Sequence, residues 1–571
     1  MSKAAQGLVR LPVWRARVVL IALGAGFAVL AGRAVFLQAM ETDFLQEKGE
    51  ARYARVMEIA ATRGRVLDRN GEALAVSTPV KSIWAIPGDF DAAERERRKL
   101  AALLALSKTE LDKRLSDTSR DFVYLKRQVA PETATAVQTL GLKGVHDHRE
   151  YRRYYPGGEV TAHVIGFTGV GDAGQEGVEL THQATLGGKP GSRRVLRDRL
   201  GHIVEDVESI RSAQDGADLT LSIDSKIQSL AYSMLKAAVE HHRAKAGALI
   251  AIDVRSGEVL ALANVPSYNP NNRARLTGAQ LRNRVITDLF EPGSTLKPFT
   301  LALALESGKV NASTVVHTAP GRMTLAKYTI RDVHPAASLS VAEVLARSSN
   351  VGAAKMALAL PREAMWDLFR RVGFGAAPEL GFPGAAAGRL RHYRSWKPIE
   401  QATMGYGHGI SLSLAQLARA YTVFARDGEL VPLTLVKTGA AVSGEKVLSA
   451  STAQAMRAML EAAVQPGATG PRARIMGWRV AGKTGTAHKQ ENGGYAPDKY
   501  LASFVGLAPA SAPRLVVAVM IDEPSAGQHY GGMVAAPVFA QVMQGALRLL
   551  GVPHDAPLVP LELGDEAKES T

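Results

Sequence analysis

Val18 to Gly32 (VVLIALGAGFAVLAG) runs fifteen residues without a charge, Arg33 interrupts, and the apolar character resumes to Met40. As a helix at about 1.5 Å per residue, 18–40 reaches roughly 34 Å, enough to cross a bilayer core of roughly 30 Å. Arg33 lies near the far end, where a long cationic side chain can snorkel to the headgroups. Lys3, Arg10, Arg15 and Arg17 precede the run without any acidic residue, and Glu41 follows it. That asymmetry predicts a cytoplasmic tail over 1–17, a transmembrane anchor over 18–40 and a body outside the membrane. A cleaved signal peptide would need a small-x-small site after the run. Ala31-Gly32-Arg33-Ala34 and Gln38-Ala39-Met40 are poor ones. No second stretch approaches eighteen apolar residues, so the body is expected to be soluble.

At 571 residues the chain exceeds one domain. Its net charge of +15 implies an anionic neighbour without choosing between nucleic acid, phospholipid and acidic substrate. The absence of cysteine removes disulfides, thiolate metal sites and cysteine nucleophiles together. Between 41 and about 215 the chain is charged and broken into short elements. Val66 to Val76 reads as a hairpin turning at Asn70-Gly71. Residues 90–115 read as two helices whose interleaved Glu94 and Glu96 argue against a nucleic-acid surface. Around 205–218 the apolar pattern lapses, which predicts a domain junction.

Beyond it, Leu219–Ile223 is a predicted strand and Ser225–Val239 a predicted helix. Ala248–Val254 and Glu258–Ala263 read as a hairpin, and so do Leu501–Leu507 and Leu515–Ile521. Helices are expected between 296 and 425. Hairpins at both ends with helices between them give an α+β arrangement, an antiparallel sheet with helices packed on it. Residues 551–571 read as a flexible tail.

Glu291-Pro292-Gly293 precedes Ser294-Thr-Leu-Lys297-Pro298, a predicted helix start with proline in its first turn. On a helix, i and i+3 share a face, so the Ser294 hydroxyl and the Lys297 amine can meet. A serine needs a base to become a nucleophile, and a lysine serves only when neutral, the form burial favours. Alone, Ser-x-x-Lys recurs by chance and could be a helix cap. Two further patterns follow in order: Ser348-Ser349-Asn350 after a helical stretch over 339–347, and Lys483-Thr484-Gly485-Thr486 after strand-like Trp478–Ala481. Together they form the three-motif pattern of penicillin-recognising serine acyltransferases.

Further segments sharpen the resemblance. Arg282 to Ser294 resembles the stretch before the nucleophile in class B penicillin-binding proteins of the septal FtsI type. Arg63 to Gly71, Arg153-Tyr-Tyr-Pro156 and Gly174 to Glu179 are similar to that family's N-terminal module, and Tyr530 to Phe539 to its C-terminal end. The resemblance implies a penicillin-binding, serine β-lactamase-like transpeptidase domain over 216–550, with helices on both faces of its sheet. It also implies an N-terminal pedestal over 41–215, no cofactor and no metal.

By resemblance, Ser294 attacks the carbonyl between two terminal D-alanines of a peptidoglycan stem peptide. Lys297 takes its proton, and the N–H groups of Ser294 and Thr486 form an oxyanion hole. Ser348 passes a proton to the leaving amine. Asn350 orients Lys297 and the substrate amide. Lys483, with Thr484 and Thr486, holds the terminal carboxylate, and Gly485 admits a strand-like substrate. β-Lactams stop at the acyl stage. The partners implied are stem peptides, β-lactams, an FtsW-type glycan polymerase and other divisome membrane proteins, at the septum of a bacterial inner membrane. Nucleic acid is not among them.

A competing pattern is Gly477 to Thr484, which matches the Walker A string G-x-x-x-x-G-K-T. A phosphate loop needs a flexible turn before the lysine and a helix after it. Trp478-Arg-Val favours a strand, and Gly485 to Gly494 reads as a polar turn region. His408 reads as part of a structural loop rather than of the cleft.

Overall fold

The computed structural model describes residues 12–40, 54–197, 203–491 and 493–560. The outer part of the expected cytoplasmic tail, Glu41 and the last eleven residues of the expected C-terminal tail lie outside these. A helix runs Val13–Val35 and continues as a π-helical turn over Phe36–Met40. It starts five residues before the expected span, so Arg15 and Arg17 sit on its first turns. Over Val13–Gln38 it is long and apolar enough to cross a membrane, and none of its surface is buried in the protein. Arg33 stacks over Phe36, 5.4 Å from the ring centre.

Contacts divide the chain into two units. The first comprises residues 1–62, 79–151 and 188–215; the second comprises 63–78, 152–187 and 216–571. Segments 63–78 and 152–187, expected within one N-terminal module, therefore group with the second unit.

In the first unit, Ile83 and Ala85 on one strand and Leu125 on its antiparallel partner Val123–Val129 form one side of a small core. Helices Glu94–Leu103, Lys108–Leu115 and Pro131–Thr139 close it with Leu100, Leu111 and Val137. The helix pair expected over 90–115 is present, and Ser107 caps the second by accepting from the Glu110 N–H at 3.1 Å. Three further strands, Ala54–Ile59, Gly191–Arg197 and Ile203–Arg211, form an antiparallel sheet. The lapse in apolar pattern over 205–218, read as a domain junction, begins within the strand Ile203–Arg211, and the division between the two units falls between 215 and 216.

The second unit is built on five antiparallel strands in the order Val259–Val265, Ala246–Asp253, Leu515–Asp522, Gly494–Ala508, Ala481–Glu491. The strand Leu515–Asp522 is buried at every position. Its residues alternate between two cores, which is why the sequence there is continuously apolar rather than alternating. Val516, Ala518 and Met520 join Ile250, Val505 and the helix Leu414–Ala425 on one face. Val517, Val519 and Ile521 join Leu249, Phe504 and the helices Ser225–His241 and Ala536–Leu549 on the other. The expected α+β domain, with helices on both faces of an antiparallel sheet, is what forms. Asp224 starts the helix Ser225–His241 by accepting from the N–H groups of Lys226 and Ile227 at 3.0 and 3.2 Å.

Within this unit, three stretches singled out in the sequence converge on one carboxylate. Glu179 accepts from Arg63 Nε at 2.5 Å and from Arg153 Nε at 2.7 Å, with all three side chains about 1 % exposed or less. Arg63 also donates to the carbonyls of Asp172 (3.0 Å) and Glu179 (2.7 Å) and to Gln183 Oε1 (2.9 Å).

Nearby, His163 bonds the Gln280 carbonyl through Nε2 at 2.7 Å and meets the Tyr268 ring edge-on. Burial holds its imidazole down at about 4, aided by the charge of Arg284 and opposed by the Gln280 carbonyl. A depressed imidazole stabilises the fold fully above the unfolded value near 6.5, and that contribution is lost as pH falls through about 4. A His163→Gln variant should therefore lose less thermal stability than the natural chain between pH 7 and pH 4. Equal losses in paired melting curves would refute this.

Candidate active site

Gly293 to Leu296 forms a 3-10 turn, and the α-helix proper begins at Lys297 and runs to Glu306. Gly293 takes a left-handed φ of +54°, which turns the chain into the helix. The helix is fixed from behind. Phe299 is fully buried among Phe374, Tyr421 and Phe424, with ring centres 5.4, 5.5 and 5.0 Å away. The Tyr421 hydroxyl donates to the Thr295 carbonyl (2.7 Å), and Thr300 Oγ1 donates to the Gly405 carbonyl (2.9 Å). Ser294 thus stands on a turn with little freedom to move.

Lys297 Nζ lies 2.9 Å from Ser294 Oγ, 3.0 Å from Ser348 Oγ and 2.6 Å from the Ser348 carbonyl. The Ser348 hydroxyl donates to Ser294 Oγ at 2.9 Å, closing a triangle of two hydroxyls and one amine. All three residues are buried. Ser348 adopts φ +58°, a left-handed conformation uncommon outside glycine, in the turn between helices Val341–Ala346 and Asn350–Ala359. That turn brings both its carbonyl and its hydroxyl to Lys297. The stretch 339–347 read as helix begins instead with a short strand, Ser338–Ser340.

Asn350 opens the second helix. Its Nδ2 donates to the Arg331 carbonyl at 3.3 Å, and its Oδ1 is buried and accepts no hydrogen bond. The lysine is therefore oriented by the Ser348 carbonyl and not by Asn350 Oδ1, a difference from the role the resemblance implies. Asp332, which no motif in the sequence marks, holds this segment in place. Its carboxylate accepts from Ser349 Oγ (2.7 Å) and from the N–H groups of Asn350 (2.6 Å) and Val351 (2.9 Å).

Lys483, Thr484, Gly485 and Thr486 lie within the edge strand Ala481–Glu491. This corrects two expectations: Trp478 to Val480 precede the strand, and the polar run after Gly485 continues it to Glu491 instead of turning. The Walker context is absent, since a strand and no helix follows the lysine. The strand packs directly on the nucleophile turn. A Cβ at Gly485 would stand 2.9 Å from both Pro292 O and Thr295 Cγ2, and one at Gly293 would stand 3.3 Å from Thr486 O. Lys483 Nζ donates to Thr469 Oγ1 (3.1 Å) and Thr484 Oγ1 (3.0 Å), and Thr484 Oγ1 donates to Thr469 Oγ1 (2.9 Å). Thr469, in a Gly-rich turn, carried no signal in the sequence. Thr486 Oγ1 accepts from the Gly531 N–H at 2.9 Å.

Glu291 is buried beside the nucleophile turn, and burial raises its carboxyl above the usual range against the hydrogen bonds from Gly409 and Tyr495. His408 Nδ1 is 3.9 Å from it. Enclosure by protein lowers His408 to about 4, with the charge of Lys297 adding to the effect. The histidine read as a loop residue thus lies within the electrostatic reach of the lysine.

Three distant motifs therefore meet around one hydroxyl. The penicillin-binding protein transpeptidase domain matches residues 247–544, and the penicillin-binding protein dimerisation domain matches 58–221. The chain belongs to the penicillin-binding protein transpeptidase family. It is 44 % identical over 546 residues to a probable peptidoglycan D,D-transpeptidase PenA of Neisseria gonorrhoeae, covering 95 % of this chain and 93 % of the relative. It is 42 % identical over 550 residues to the peptidoglycan D,D-transpeptidase FtsI of Escherichia coli K12, with the same coverage of each chain. Among solved structures it resembles the apo transpeptidase domain of Burkholderia pseudomallei penicillin-binding protein 3, at 50 % identity and TM-score 0.55, over 59 % of this chain and 98 % of that one. A Burkholderia ambifaria structure named a peptidoglycan glycosyltransferase matches at 49 % identity and TM-score 0.54, over 59 % of this chain and 99 % of that one.

Proposed function

We propose that this transpeptidase-family chain acts at the division septum, with Ser294 as its nucleophile and Lys297 as the base. It is a serine-type peptidoglycan D,D-transpeptidase that cross-links stem peptides and is acylated by β-lactams. The observation that carries the reading is the buried triangle of Ser294, Lys297 and Ser348, with the Lys483 strand packed on the same turn.

With Lys297 neutral, the Ser294 O–H donates to Nζ as Oγ attacks the penultimate D-alanine carbonyl. Oγ–C forms, the proton moves to the amine, and the new oxyanion is met by the N–H groups of Ser294 and Thr486. Ser348, in contact with both reacting partners, relays the proton to the departing D-alanine nitrogen as the peptide bond breaks. An amine of a second stem then attacks the ester, and its proton returns to Ser294 as the cross-link forms. Lys483, Thr484 and Thr486 receive the terminal carboxylate. Asn350, whose buried Oδ1 is left without a partner, is the acceptor this reading assigns to the substrate amide N–H. The edge strand Ala481–Glu491 offers backbone to an extended peptide, and Gly485 lets that strand lie directly on the nucleophile turn.

The septal site rests on the likeness to FtsI. The N-terminal helix anchors the chain once in the inner membrane with its N-terminus cytoplasmic and its catalytic domain periplasmic. An FtsW-type polymerase and other divisome membrane proteins are the partners this reading implies. Incubation of the full chain with benzylpenicillin should give one adduct, located on Ser294 by peptide mass spectrometry and persisting for many minutes. An adduct elsewhere removes the nucleophile assignment, and rapid release of penicilloate would make the chain a β-lactamase.

A further inference from the structure

The edge strand continues past the sheet. Leu501 is the first residue of its partner strand Gly494–Ala508 that pairs onward, with Asp522. Gln490 pairs with Tyr495 and Glu491 with Gly494, outside that limit. The outer end is therefore a two-stranded ribbon with no third strand among the described residues, and such a ribbon is marginal in water unless something holds it. It interrupts its register between His488 and Gln490.

Two sets of contacts hold it. On the sheet side, Lys489 Nζ bonds the Asp522 carboxylate (2.8 and 2.9 Å) and Glu523 Oε1 (2.6 Å). On the side of the nucleophile, a single buried carboxylate does the work. Glu291, three residues before Ser294, accepts from Gln490 Nε2 at 2.9 Å and from the Tyr495 hydroxyl at 2.8 Å. The Glu291 Oε1 that meets Gln490 also accepts from the Gly409 N–H at 2.7 Å. Glu291 is 8 % exposed, whereas Tyr495 is 50 % exposed.

We propose that Glu291 is a positioning residue that latches the ribbon's outer end and the Gly409 loop to the nucleophile turn. The strand that carries Lys483 and Thr486 then stays aligned with Ser294. The chain is continuous from Thr486 to Gln490, so tilt at the ribbon's end is felt four residues away, where the oxyanion donor and the carboxylate site lie. A shift of about 1 Å at such a donor costs up to roughly 10²-fold in rate. The latch orients the reacting groups and touches no substrate, so its loss slows acylation at saturation more than it weakens binding.

This inference rests on Ser294 as the acylated residue, and the test separates the two. In the natural full-length chain, penicillin labelling of Ser294 is the control, and its absence would sink both. Tyr495→Phe with Gln490→Ala removes two exposed donors and spares the buried core. This double variant should lose about five- to tenfold in limiting acylation rate constant. Its half-saturating penicillin concentration should change by less than about twofold and its melting temperature by no more than about 2 °C. Glu291→Gln should retain about half or more of the rate, because the amide oxygen still accepts from Gly409 and Gln490 and its NH₂ donates to the Tyr495 oxygen. Glu291→Ala should not. A double variant acylating at the natural limiting rate overturns the proposal, as does a loss confined to half-saturation or equal losses in Glu291→Gln and Glu291→Ala.

Discussion

In a Lys297→Met variant, the second-order rate constant for penicillin acylation should fall by at least about 10³-fold while the chain remains folded. Lys297 Nζ and Ser348 Oγ both stand within 3.0 Å of Ser294 Oγ or of each other, and the amine is the basic member of that set. Methionine fills much the same buried volume and cannot take a proton, so the hydroxyl is left as an ordinary alcohol. A modest structural cost is also expected, because the Ser348 carbonyl loses its donor, worth about 1–3 kcal/mol. Thermal unfolding and acylation kinetics on the same sample separate the two effects. A folded Lys297→Met chain that acylates at even a tenth of the natural rate would remove the lysine from the base role.

The second large effect lies away from the chemistry. Glu179→Ala should destabilise the second unit by about 3–5 kcal/mol, because it strands two guanidinium groups in a dry interior. Arg63 and Arg153 are each 1 % exposed at the side chain, so water cannot replace the lost carboxylate. Asp218→Ala provides the contrast. Its partner Arg65 is 60 % exposed, and exposed pairs contribute no more than about 1 kcal/mol. The expected readout is a melting temperature lowered by several degrees for Glu179→Ala and unchanged within about 2 °C for Asp218→Ala. Equal melting temperatures in the two variants would mean that the buried triad adds no more than a surface pair.

Much of the catalytic unit could be read locally. Asp224 before an apolar-periodic run marks the helix Ser225–His241, and the run 248–254 marks a strand buried on both faces. The three short motifs stand at their own positions in the chain without any help from folding. The errors have physical causes. His488, Lys489 and Gln490 read as a turn because they are polar, yet they form strand in a ribbon overhanging the sheet, where both faces can meet polar partners. Residues 205–211, within the stretch read as a domain junction because its apolar pattern lapses, pair along Gly191–Arg197 as strand. Strand formation depends on a partner elsewhere in the chain, and single-strand composition reports it poorly.

The sequence by itself determined where three short motifs stand, where a membrane-length helix stands, and that helices and an antiparallel sheet would share a domain. These follow from residue type and spacing of a few positions, which act over one or two turns of chain. Only the tertiary structure decided that Ser348 takes a left-handed turn to reach Lys297, and that Asp332 grips the asparagine motif. It alone placed Glu291 against Gly409, Gln490 and Tyr495, and grouped 63–78 and 152–187 with the catalytic unit. Each of these joins residues from 18 to 199 positions apart. A hydrogen bond between such groups leaves no periodicity in the chain, because its geometry exists only after the cores on either side of the sheet have closed.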